Sequence, residues 1–77
     1  MKRYKVSIDT MSQANKFILA ASKFPKDSLR MVDSDGHEVS AQSLLGVLYS
    51  FEWDETFLYA KEDVDGVYEA FADFVIE

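Results

Sequence analysis

Apolar and polar residues alternate at the start of the chain. In "YKVSI", Tyr4, Val6 and Ile8 fall on one side and Lys5 and Ser7 on the other, the pattern of a half-buried strand. The period then changes. In "TMSQANKFILAASKF", Ala14, Phe17, Ile18, Ala21 and Phe24 recur at helical spacing and share one face. Thr10 and Gln13 stand three apart, the spacing of a capping box, so this helix is expected to begin at Thr10 and to end at or just before Pro25.

The stretch "SLRMVDSDGHEVSA" holds two strand-forming runs on either side of Asp35-Gly36, a dipeptide that supplies the positive φ angles of a tight turn. A hairpin is expected there. "SLLGVLYSF" follows, with Leu44, Leu45, Leu48 and Phe51 at helical spacing. It reads as a short helix opening at Ser43, weakened at Gly46 by about 1 kcal/mol relative to alanine. "ETFLYAK" is the fourth strand. From about Asp63 onward, Val67, Phe71, Phe74 and Val75 share one face of a last helix, whose early acidic residues suit the positive end of its dipole. Gly66 falls within the first turn of that helix. The expected order is β-α-β-β-α-β-α, an antiparallel-rich sheet covered on one face by three helices.

Composition sets the class. With 77 residues, 48% of them hydrophobic and 14% aromatic, the chain suits one small domain over residues 1–77 with a substantial core. It contains no cysteine, which excludes disulfides, thiolate zinc sites and cysteine nucleophiles. No stretch approaches a membrane helix and "MKRYKVSI" lacks a signal-peptide core, so a cytoplasmic location without membrane contact is expected. The net charge of −6 points away from nucleic acid. It is uneven: Lys2, Arg3 and Lys5 lie at the start, whereas Glu52, Asp54, Glu55, Glu62, Asp63, Asp65, Glu69, Asp73 and Glu77 load the second half. That acidic face reads as a solvated surface or as a site for a basic partner.

Chemistry-bearing residues are few. His37, the one histidine, follows the Asp35-Gly36 turn and reads as an exposed hairpin residue. "DSDG" has the start of a calcium loop, but the glutamate needed at loop position twelve would be Leu44. No metal site and no cofactor is expected.

The element order and the stretch "AASKFPKDSLRMVDSDGHEVSAQSLLGVL" resemble HPr, the histidine-containing phosphocarrier of the bacterial sugar phosphotransferase system. The shared landmarks are an alanine and a phenylalanine closing the first helix, a strand, a turn of the Asp-Gly kind, and a serine followed by an apolar helix with glycine. The resemblance runs over nearly the whole chain and implies an HPr-like open-faced β-sandwich. It also implies where the family's chemistry would lie. The phosphoryl-accepting histidine falls on Thr10, the following arginine on Ser12 and the proline on Gln13, so this phosphohistidine site is degenerate. Threonine forms a far less transferable phosphoester than imidazole's phosphoramidate, and the missing arginine removes a charge-assisted partner for phosphoryl oxygens.

Ser43 matches the serine that a dedicated kinase phosphorylates in many members of the family. A related group, the catabolite-repression HPr-like proteins, lacks the histidine and keeps this serine. Phosphorylation would add about −1.5 to −2 charges beside a helix N-terminus. A plain N-cap is the competing role for Ser43. Leu44, Leu45 and Leu48 match a hydrophobic patch through which the family contacts other proteins, with burial of all three as the competing outcome. The resemblance thus implies a non-enzymatic regulatory or interaction protein, with protein partners such as a serine kinase and a transcriptional regulator. A phosphocarrier with another acceptor, or a diverged scaffold binding through its acidic face, are the alternatives. Trp53 is expected either to pack against the core edge or to anchor a partner.

Overall fold

The computed structural model describes residues 2–76. Glu77, last of the acidic positions, lies outside them. Four strands, β1 (Lys2–Val6), β2 (Leu29–Asp33), β3 (Glu38–Ser40) and β4 (Thr56–Ala60), form one sheet in the order β1-β4-β2-β3. Every pairing is antiparallel. Three helices, α1 (Met11–Ala21), α2 (Leu44–Tyr49) and α3 (Val67–Ala70), alternate with them, and α2 runs into a 3-10 turn over Ser50–Glu52. Helix placement follows from strand periodicity. Leu29, Met31, Leu58 and Ala60 are fully buried on one side of the sheet, and they share a single core with Ala14, Phe17 and Ala21 of α1, Val47 of α2, and Val67 and Phe71. Phe17 is the hub: its ring lies 4.7 Å from Phe71 and 5.3 Å from Phe74, centroid to centroid.

Local signals act as the sequence implies at both ends of the first half. Thr10 caps α1, and Gln13 closes the reciprocal hydrogen bond of a capping box. Gly36 adopts φ 92° in the hairpin between β2 and β3, but Asp35 does not share the positive φ expected of the pair, because the connection is the longer loop from Ser34 to His37 rather than a two-residue turn. Ile18, placed with the buried face by spacing, is only half-buried; it lies on the shoulder of that face.

The C-terminal helix is the main departure. Instead of starting near Asp63 and carrying Val75, α3 spans only Val67–Ala70, with Gly66 as its N-cap at φ 81°. The reason lies in the partner strand. Ser7 N–H donates to Phe74 C=O at 2.9 Å and Ile76 N–H to Lys5 C=O at 2.9 Å. Val75 thereby bridges to Val6 on the outer side of β1. Extended backbone at that edge is incompatible with further helix, and the bridge partly covers an edge strand. Val67, Phe71 and Phe74 are nonetheless all buried, so the apolar spacing marked the core-facing residues but not the backbone between them.

Candidate functional site

The region opened by Ser43 is built by contacts from distant parts of the chain. Gln42 is its anchor. Its side-chain amide nitrogen lies 3.1 Å from Ala21 C=O, 3.1 Å from Phe24 C=O and 3.0 Å from Pro25 C=O, and its oxygen accepts from Asp27 N–H at 3.0 Å. Carbonyls at the end of a helix have no intrahelical donor, and Gln42 supplies one. It thereby fixes the start of α2 against the end of α1. Asp27, whose N–H meets this amide oxygen, takes the left-handed backbone conformation at φ 64°. The acceptors of Gln42 lie some twenty residues away, so no local pattern in the sequence signals this anchoring role.

Gly46 has a second structural role. A Cβ built there would come within 2.7 Å of Ser40 C=O and 3.3 Å of the Val39 Cβ. The glycine therefore allows α2 to lie directly on β3, and its low helix propensity accompanies that close approach. With the helix seated this way, Val47 is the residue that reaches the core.

The leucines take different positions. Leu45 is 80% exposed, Leu44 41% exposed and Leu48 half-buried against the core. Tyr49, 60% exposed and one helical turn after Leu45, extends the same apolar surface. Burial of all three leucines does not occur, because only one side of so short a helix faces inward and Val47 occupies it. Trp53 is half-buried against the core, and Tyr49 meets it edge-on at 6.3 Å between centroids.

Ser43 is half-buried and caps α2 by accepting from Gly46 N–H at 3.4 Å, at the weak limit for a hydrogen bond. Only six α-helical residues follow it, so few peptide dipoles are aligned behind it.

The degenerate phosphohistidine position is occupied differently. Thr10 Oγ1 accepts from Gln13 N–H at 3.1 Å, and Gln13 Oε1 accepts from Asp9 N–H at 2.7 Å and Thr10 N–H at 3.2 Å. Two of the three substituted residues are thus committed to capping α1, whereas Ser12 stands exposed.

At the hairpin, Asp33 Oδ1 accepts from the amides of Asp35 and His37 at 2.9 and 2.7 Å, and His37 Nδ1 lies 2.8 Å from Asp33 Oδ2. Burial pushes the Asp33 carboxyl up. The hydrogen bonds from the His37 ring and the two amides, with the charge of His37, outweigh it and leave the net shift downward. A carboxylate lowered in the fold stabilises the turn fully above the ordinary aspartate range and loses that contribution as pH falls through its own lowered pKa. Ligand atoms of Asp33, Asp35 and His37 lie within 4.8 Å of one another. The Asp33 oxygens that would coordinate an ion are those that organise the turn.

No helix among the described residues is long and apolar enough to cross a membrane. Comparison of the chain with protein-family models, with curated proteins and with solved structures finds no match.

Proposed function

We propose that this chain is an HPr-like interaction protein without phosphocarrier chemistry, engaging a protein partner through the exposed apolar surface of α2 and switched by phosphorylation of Ser43. The exposure of Leu45 two residues from that serine carries the reading: a large aliphatic side chain in water, with Leu44 and Tyr49 beside it, has the character of a contact surface. The element order and the strand order 1-4-2-3 support an open-faced β-sandwich of the HPr kind. The commitment of Thr10 and Gln13 to a capping box speaks against a phosphoryl relay at that position.

The switch has a physical basis in the weak cap. Phosphorylation of Ser43 replaces a hydroxyl at 3.4 Å from Gly46 N–H with a dianionic group of three acceptor oxygens, next to an apolar patch. Incubation with ATP and a kinase that acts on HPr serine is expected to add the mass of one phosphoryl group, read by intact mass spectrometry, and the Ser43→Ala variant is expected to add none. An unchanged wild-type mass, or a gain that persists in Ser43→Ala, rejects the switch.

A further inference from the structure

The side of the sheet turned away from the helices carries its own pattern. Pairing sets Arg3 of β1 and Arg30 of β2 directly opposite Tyr59 of β4, and Lys5 and Val32 opposite Phe57. Side chains two apart on a strand point the same way, so Lys61 continues the row of Phe57 and Tyr59. None of these residues belongs to the core. Phe57, Tyr59 and Val32 are half-buried, floor-like positions, and Arg30, Val32, Glu38, Tyr59 and Lys61 line one shallow groove.

Charge on this face is opposite to that of the molecule. The whole chain has eight Lys and Arg against fourteen Asp and Glu. Four of the eight, Arg3, Lys5, Arg30 and Lys61, lie here, with Glu38 and Glu55 as the facing carboxylates. Lys5 pairs with Glu55 at 3.0 Å and Arg30 pairs with Glu38. Arg3 has its guanidinium 5.0 Å from the Phe57 ring centroid, and among the described residues Lys61 has no carboxylate partner. The result is a cationic, aromatic surface on an otherwise acidic protein.

We infer that this sheet face is a second docking site, which takes an acidic peptide segment bearing an aromatic or aliphatic side chain. The apolar side chain lies on Tyr59 and Val32, while carboxylates meet Arg3, Arg30 and Lys61. Guanidinium groups bind carboxylates through paired hydrogen bonds, and Arg3 needs only to leave the Phe57 ring to do so. A peptide fits better than a nucleic acid. A phosphodiester strand running past this patch would meet the acidic remainder of the surface, whereas a short acidic segment is covered by the patch alone. The site lies on the side of the sheet opposite the core and does not depend on Ser43 or the α2 leucines.

The test is a titration of the isotopically labelled full chain, followed by NMR, with a capped hexapeptide of glutamate and phenylalanine and, separately, a short oligothymidylate. The peptide is expected to shift the amides of Arg30, Phe57, Tyr59 and Lys61. Raising salt to about 0.5 M should weaken its binding at least about tenfold, since exposed charge pairs are screened. The Arg3→Glu and Lys61→Glu variants should lose the response while keeping the remaining spectrum. Because Lys61 is exposed, Lys61→Gln serves as a milder variant expected to weaken binding without disturbing the fold. Absence of shifts on this face, equal binding by the charge-reversed variants, or stronger binding of the oligothymidylate overturns the inference.

Discussion

The two helices capped by a side chain begin in contrasting ways. At α1, Thr10 and Gln13 satisfy each other reciprocally, and exposed Asp9 and Ser12 flank a single exposed apolar residue, Met11. At α2, Ser43 makes one long bond, and the next two residues place leucine side chains in solvent. The first terminus is closed by its own local sequence. The second is held from outside, by Gln42 reaching the end of α1 and by the close approach of Gly46 to β3. A terminus positioned by remote contacts leaves its own side chains free, and the proposed partner surface lies on that terminus.

This contrast can be broken most severely at Gly46. Gly46→Ala drives a methyl group against the Ser40 carbonyl, and overpacking of that kind costs about 1–3 kcal/mol. Chemical denaturation should show the lowered midpoint, with α2 and β3 losing hydrogen-exchange protection first. Gln42→Ala follows. It strips a donor from the carbonyls at the end of α1 and an acceptor from Asp27 N–H, and a loss of about 1–2 kcal/mol is expected, moderated by water reaching part of the site.

Capping itself sharpens the comparison. Thr10→Ala should cost about 1 kcal/mol, and Ser43→Ala about half that, because the Ser43 bond is longer and unreciprocated. Equal losses measured by urea unfolding would remove the distinction drawn between the two termini. The smallest effect on stability is expected for Leu45→Asp, within about 0.5 kcal/mol, since the side chain is already in water. The same substitution should abolish association with a partner that uses α2, so a neutral denaturation curve with unchanged partner binding counts against that surface.

Much of the architecture was legible along the chain. The alternation in "YKVSI", the Asp35-Gly36 turn and the Thr10–Gln13 spacing are signals completed within a few residues, and each marks its element, although β1 spans Lys2–Val6 and leaves Ser7 and Ile8 outside it and only Gly36 of the turn pair takes a positive φ. The candidate site was legible only in part. Ser43 at the start of a short apolar helix could be read, but the orientation of that helix could not. Leu44, Leu45, Val47 and Leu48 are similar in hydrophobicity, and a helix of six residues offers too little periodicity to rank them.

By itself the sequence determined the local folding units: where strands alternate, where the chain turns, where α1 begins and which aromatic residues of the C-terminal segment form core. Tertiary structure decided which leucines remain outside, why Gly46 is a glycine, where the last helix stops and that cations gather on one sheet face. Those outcomes depend on partners distant in sequence: Ser40 and Val39 beneath Gly46, β1 beside Val75, and Arg3 and Arg30 brought to either side of Tyr59. Short-range propensity fixes an element's type, but only the packed neighbours fix which of its sides is turned inward.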